Sequence, residues 1–151
     1  MRVFKLALSF LTGATIAFAP VLATASSASA QSTGCPSTSA LAVCLTNSNN
    51  GDSISVPPGT EVDVYLTASI STSTGQTWRW TVPASSNNAV LAFESGGTSS
   101  NGNAWADFVA KSGGTADITS EESCVAAPGH ACPQVVLLWQ TSVSVVPTPT
   151  A

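Results

Sequence analysis

Between Glu61 and Thr67 the side chains alternate strictly: Val62, Val64 and Leu66 interleave with Glu61, Asp63, Tyr65 and Thr67. A period of two sends successive side chains to opposite faces of an extended chain, so this segment is a strand with one buried face. The same count sets Trp78, Trp80 and Val82 against Arg79 and Thr81, and Trp139, Thr141, Val143 and Val145 against Gln140, Ser142 and Ser144. From about residue 40 onward no run carries the period of an amphipathic helix. The predicted strands are Ala40–Thr46, Ser53–Val56, Glu61–Ala68, Thr77–Val82, Ala89–Glu94, Ala104–Ala110, Thr115–Glu121 and Val135–Val146. Asn50-Gly51, Pro57-Pro58-Gly59, Gly96-Gly97, Asn101-Gly102 and Gly113-Gly114 separate them, the residues that turns need where φ is positive or fixed. Seven or eight short strands with one apolar face each predict an all-β, immunoglobulin-like antiparallel β-sandwich over residues 31–146, with a closed barrel as the alternative. Trp78 or Trp80 is the expected core plug, while Trp105 or Trp139 is expected outside the core if it lies at a sheet edge.

The first thirty residues follow another pattern. Arg2 and Lys5 precede an apolar run from Leu6 to Leu22, and Ala28-Ser29-Ala30 is a small-x-small site, the layout of a secretory signal peptide (residues 1–30) cut after Ala30. Pro20 and the Ser/Ala tract from Ala23 to Ala30 leave the run short of the about 20 apolar residues that a membrane span requires. The expected product is secreted, extracellular or in the cell envelope, monomeric and not inserted in a membrane, and it ends in a Pro/Thr tail at 147–151. In an oxidising compartment Cys35, Cys44, Cys124 and Cys132 form two disulfides. Of the three connectivities, Cys35–Cys44 and Cys124–Cys132 are favoured, because each closes a short Pro-, Gly- or Ser-rich segment that needs a staple. The alternative, a zinc site from Cys124, His130 and Cys132, lacks a fourth ligand unless Cys35 or Cys44 joins it.

Charge and residue types narrow the function. Four Lys+Arg stand against eight Asp+Glu, and Arg2 and Lys5 fall in the leader, which excludes a nucleic-acid-binding surface. His130 is the single histidine, so any Ser-His-Asp or Cys-His chemistry would have to pass through it. Glu121 and Glu122 are adjacent on a strand and face opposite ways, which prevents them from flanking one glycosidic bond; they read as a solvated strand end. Asp63 and Asp107 read as isolated outward positions, and no run of oxygen ligands suits calcium. No catalytic residue, metal or cofactor is assigned, and the chain reads as a binding protein rather than an enzyme. The loops carry more: 71–78, 95–103 and the Cys124–Cys132 segment are small, uncharged and Gly-rich, and could share one end of a sandwich.

Ser73-Thr74-Gly75 and Trp78 match the end of the Asn-Pro-Thr-Thr-Gly-Tyr-x-Trp loop of chagasin-type inhibitors, with Ser71, Thr72 and Gln76 in place of Asn, Pro and Tyr. Gly96, Gly97 and Gly102 correspond to that family's Gly-rich second loop, and Pro57-Pro58-Gly59-Thr60 to Val64 resembles its strand entry. The third element, Arg-Pro-Trp/Phe, is absent; the Cys124–Cys132 loop with Pro128 and His130 stands in its place. The chain thus resembles the chagasin-type inhibitors of papain-like cysteine proteases. It is similar also to small secreted actinobacterial proteins of unassigned role, through Trp80-Thr81-Val82-Pro83, the Gly-Gly pair and the late cysteines. The first resemblance implies a protein partner, a papain-like cysteine protease, met by Ser73, Thr74, Gly75, Gly96, Gly97, Gly102, Pro128 and His130. The competing expectations are a structural or adhesive envelope module, and a carbohydrate-binding module if Trp105 or Trp139 forms a surface patch.

Overall fold

The structure is a computed structural model that describes Cys35 and residues 41–70 and 73–148; the leader reading and the end of the Pro/Thr tail lie outside the described residues. The strands are β1 (Ala42–Thr46), β2 (Ser53–Val56), β3 (Glu61–Leu66), β4 (Gln76–Trp80), β5 (Ala84–Ser85), β6 (Leu91–Thr98), β7 (Ala104–Ala110), β8 (Gly114–Ala126) and β9 (Val136–Val145). They form two sheets, β1-β3-β7-β6 and β2-β9-β8-β4, with β5 also paired to β8. The fold is an all-β sandwich of the immunoglobulin-like kind. Both sheets are mixed, because the two short N-terminal strands run parallel to their partners, β1 to β3 and β2 to β9, while every other pairing is antiparallel.

The period of two sorts the core. Val62, Val64, Leu66, Ala104, Ala106 and Phe108 of the first sheet face Trp80, Ile118, Trp139, Val143 and Val145 of the second, and all are buried. Thr141 is buried in the same row, its hydroxyl donating to the Asn49 carbonyl at 2.5 Å. Of the tryptophans, Trp80 and Trp139 are the core plugs. Trp139, which edge placement would have exposed, is 1% exposed because it lies on the core-facing side of β9, an inner strand between β2 and β8.

Other expectations need correction. Val82 is exposed: the regular register with β8 ends at Trp80, Thr81 still donates its amide to the Glu121 carbonyl at 2.8 Å, and Pro83, before pairing resumes at β5, has no N–H to donate. Asp63 is not an outward solvated position but is 3% exposed. Its register partner Cys44 lies beside it on the outer face, and Cys35, disulfide-bonded to Cys44, brings Sγ within 3.7 Å of its carbonyl oxygen. Residues 95–98 are strand rather than loop: a bulge between Phe93 and Ser95 lets β6 run on to Thr98, so Gly96 pairs with Ala106 and Gly97 with Trp105.

The bridges join Cys35 to Cys44 and Cys124 to Cys132, with Cα atoms 5.9 and 5.7 Å apart. Sulfurs committed to a bridge cannot serve as zinc thiolates, which removes the alternative reading of Cys124, His130 and Cys132. Two disulfides fit an oxidising environment. Among the described residues no helix is long and apolar enough to cross a membrane.

Candidate functional site

The chain crosses from the first sheet to the second between Leu66 and Gln76, and this crossing is tied down from three sides. Trp80 Nε1 donates to the Thr67 carbonyl at 3.0 Å, and the Ala68 amide donates to Asn103 Oδ1 at 2.9 Å. Ser69 donates twice to Glu122, from its amide at 2.5 Å and its hydroxyl at 2.7 Å. Glu122 is therefore no solvated strand end. It pairs with Trp80 in register, faces inward and is 0% exposed, whereas Glu121, one residue earlier, faces solvent. A carboxylate persists inside a sandwich only where donors meet it, and Ser69 supplies two.

The β6–β7 hairpin closes on the same crossing. The Gly102 carbonyl accepts from the Trp80 amide at 2.9 Å, and its own amide donates to the Ser99 carbonyl at 3.0 Å. At φ +88° Gly102 sits in the left-handed region, and a Cβ there would press on the Trp78 carbonyl oxygen and lie 3.1 Å from the Ala68 methyl. Only glycine lets these two backbones touch.

The bridged loop completes the end. Ala127 donates its amide to the Gly75 carbonyl at 2.8 Å, Gln76 Nε2 donates to the Ala131 carbonyl at 2.6 Å, and the His130 amide closes a turn on Ala127 at 3.0 Å. The His130 imidazole lies against Gly75: a Cβ on Gly75 would sit 2.5 to 2.6 Å from its Cγ, Cδ2 and Nδ1. His130 is exposed, as are Ser73, Thr74 and Pro128.

Three loops thus form one tip. The crossing and β4 carry both contacts, the hairpin on Ala68 and Trp78 and the bridged loop on Gly75 and Gln76. Of the residues singled out from the sequence, Ser73, Thr74, Gly75, Gly102, Pro128 and His130 belong to this end. Gly96 and Gly97 do not lie in its loops, since they are inside β6. Glu122 and Asn103, which hold the crossing in place, carry no sequence signal, because their importance depends on partners 53 and 35 residues away. Between crossing, β4 and hairpin runs a groove of about 420 Å³ lined by residues 67–70 and 76–78 with Asn101 and Asn103. None of the lining residues is ionisable, and its surface offers hydroxyls, amides and the Trp78 ring.

The Cys124–Cys132 bridge closes a loop of separation 8 and holds His130 over Gly75. Replacing both cysteines by alanine is expected to cost about 2–3 kcal/mol on loop-closure entropy, read as a lower urea midpoint at unchanged slope. A cost below about 1 kcal/mol would show that the loop stays on Gly75 without the bridge.

No family model matches the chain, and no curated protein matches it. Among solved structures it is similar to the cysteine protease inhibitor EhICP2 from Entamoeba histolytica, at 12% identity over 70% of this chain and 95% of that one, with a TM-score of 0.46. It is similar also to amebosin, at 15% identity over 68% of this chain and 96% of that one, with a TM-score of 0.39. A third is the inclusion body protein PixA from Burkholderia cenocepacia J2315, at 12% identity over 61% and 63% and a TM-score of 0.30. At these identities and scores no residue role is transferred from them.

Proposed function

We propose that this protein is a secreted, monomeric, non-catalytic binding domain that presents its three-loop tip to a protein partner, and that the partner is a papain-type cysteine protease whose cleft the tip enters. The observation that supports this most is the joining of the crossing, the hairpin and the bridged loop through Gly75–His130 and Gly102–Trp78. Loops fixed to one another before binding lose little conformational freedom on association, so more of the contact energy survives as affinity. Ser73 and Thr74 are small and exposed at the tip, so backbone can come close to a partner without a bulky side chain intervening. Gly102 holds the tip from within, and His130, two residues after Pro128 in the bridged loop, lies against Gly75; Gly96 and Gly97 lie in β6, outside the tip loops.

The test is a titration of the oxidised protein against papain and a cathepsin-like protease, following residual activity and cleavage of the added protein. Tight inhibition without cleavage is the expected result. Thr74→Asp puts a charge at the tip and is expected to weaken inhibition at least about tenfold, or 1.4 kcal/mol. Unchanged inhibition by that variant removes the crossing from the contact surface. No inhibition by the parent protein at micromolar concentration rejects the protease reading and leaves a structural or adhesive module.

A further inference from the structure

We infer that the outer face of the β1-β3-β7-β6 sheet carries a second binding site, a stacking platform for the pyranose rings of a neutral polysaccharide, with Trp105 at its centre. It is separate from the three-loop tip and does not depend on how the tip is read.

The sheet register builds the platform in rows. Tyr65, Trp105 and Gly97 are directly opposite one another on β3, β7 and β6, and Asp63, Asp107 and Ser95 form the next row on the same face. Trp105 is 38% exposed, unlike Trp80 and Trp139, which fill the core. A Cβ on Gly97 would lie 3.3, 3.4 and 3.5 Å from Nε1, Cε2 and Cζ2 of Trp105. Three nearly equal distances to one side of a ring mean that the indole lies face-on to the strand at Gly97, and the missing side chain there is what lets it lie down. A flat indole on a sheet face turns its other π-surface outward, available to the axial C–H groups of a sugar ring.

Polar groups flank the ring at hydroxyl height. Asp107, two residues along β7 and so about 7 Å from Trp105 by strand rise, is held by Ser95, whose hydroxyl donates to Oδ2 at 2.5 Å. One carboxylate oxygen bound to Ser95 leaves the other to accept from a sugar hydroxyl. On the opposite flank the Tyr65 hydroxyl accepts from Asn103 Nδ2 at 3.0 Å, which orients its own proton for donation. An aromatic plane with fixed acceptors and donors at its margin suits a ligand that is flat and apolar on its faces and hydroxylated at its rim.

Charge selects the class of glycan. The rows around Trp105 contain no lysine or arginine, and the acidic side chain that reaches their surface is Asp107, Asp63 beside it being buried. A uronate or sulfated polymer would meet repulsion there, whereas a neutral chain would not. A compact ammonium group also favours an aromatic ring beside a carboxylate, but it binds best where several rings enclose it, and this surface is an open row.

The test uses the oxidised protein in affinity electrophoresis through gels containing soluble neutral polysaccharides (a β-glucan, a xylan, a mannan) and an anionic control, polygalacturonate. Retardation by at least one neutral polymer, with quenching of tryptophan fluorescence by its oligosaccharides, is the expected result. Trp105→Ala should weaken that binding at least tenfold and Trp105→Phe much less, with binding compared under conditions where the urea transitions show both variants fully folded. Protease titration should be unaffected by Trp105→Ala, so this site and the tip can fail separately. Retardation by none of the neutral polymers, undiminished binding by Trp105→Ala, retardation by polygalacturonate alone, or displacement by choline but not by oligosaccharide would each overturn the proposal.

Discussion

Changing Gly102 to alanine is expected to destabilise the domain by about 3 kcal/mol, although it adds a single methyl group. Two costs combine. A non-glycine residue held at φ +88° pays about 1–2 kcal/mol for left-handed backbone. The new Cβ also meets the Trp78 carbonyl oxygen and the Ala68 methyl, and overpacking of this kind typically costs about 1–3 kcal/mol. Retreat is blocked, because moving Gly102 outward breaks the bond from the Trp80 amide, and rotating it breaks the bond to the Ser99 carbonyl. Urea denaturation at unchanged slope measures the loss. Since the same residue sets the hairpin against the crossing, inhibition by the tip should fall with it. A loss below about 1 kcal/mol would mean that the hairpin yields easily and does not position the tip.

Truncating Trp139 to alanine should be costlier still, about 3–5 kcal/mol, the range for removing a large aromatic side chain from a closed core. The ring is 1% exposed, and its Nε1 donates to the Thr46 carbonyl at 3.0 Å, joining an inner strand of one sheet to the end of an edge strand of the other. Trp139→Phe keeps most of the volume and loses that bond, so about 1–2 kcal/mol is expected, slightly more than the hydrogen bond alone. The midpoint of thermal or urea unfolding separates the two variants. Acrylamide quenching adds an independent check: the accessible emission should fall in Trp105→Ala, leaving the share of Trp78 in the groove, and persist in full in Trp139→Phe. Equal losses for the alanine and phenylalanine variants of Trp139 would show that the hydrogen bond, not packing, dominates.

These two residues show where local patterning is informative and where it stops. The alternation around Trp139 named its inward face, with Thr141, Val143 and Val145, because every side chain in that stretch follows the pleat. Whether β9 lay at an edge or inside its sheet was a question of pairing, and pairing depends on residues far along the chain. Asn101-Gly102 signalled a turn through the conformational needs of the turn itself. That the turn would close on Trp78 was not written in the hairpin. Gly96-Gly97 shows the opposite failure: a glycine pair reads as a loop, yet the bulge at Phe93 and Ser95 carries β6 through it, and the space left by Gly97 is taken by the indole of its partner on β7.

Glu122 marks the same boundary in charge. Two adjacent glutamates on a strand must point to opposite faces, which local geometry alone requires. Which one is inside depends on the register of β8 with β4, and the burial is sustained by Ser69 on a crossing 53 residues away. The tip follows the same rule. The turn at Asn101-Gly102 and two local bridges were legible, because both depend on neighbours in sequence, whereas the second loop begins only after Thr98, where β6 ends.

What the sequence alone determined, then, was the class of fold, the strand faces and the bridged segments, all consequences of short-range stereochemistry: a two-residue pleat, turn residues with special φ, and cysteines near enough to meet. Only the tertiary structure decided that His130 rests on Gly75, that Glu122 is buried beneath Ser69, and that Trp105 rather than Trp139 faces solvent over Gly97. Those facts depend on which strands pair and in what register, and that choice is made by the whole core closing at once, not by any segment of it.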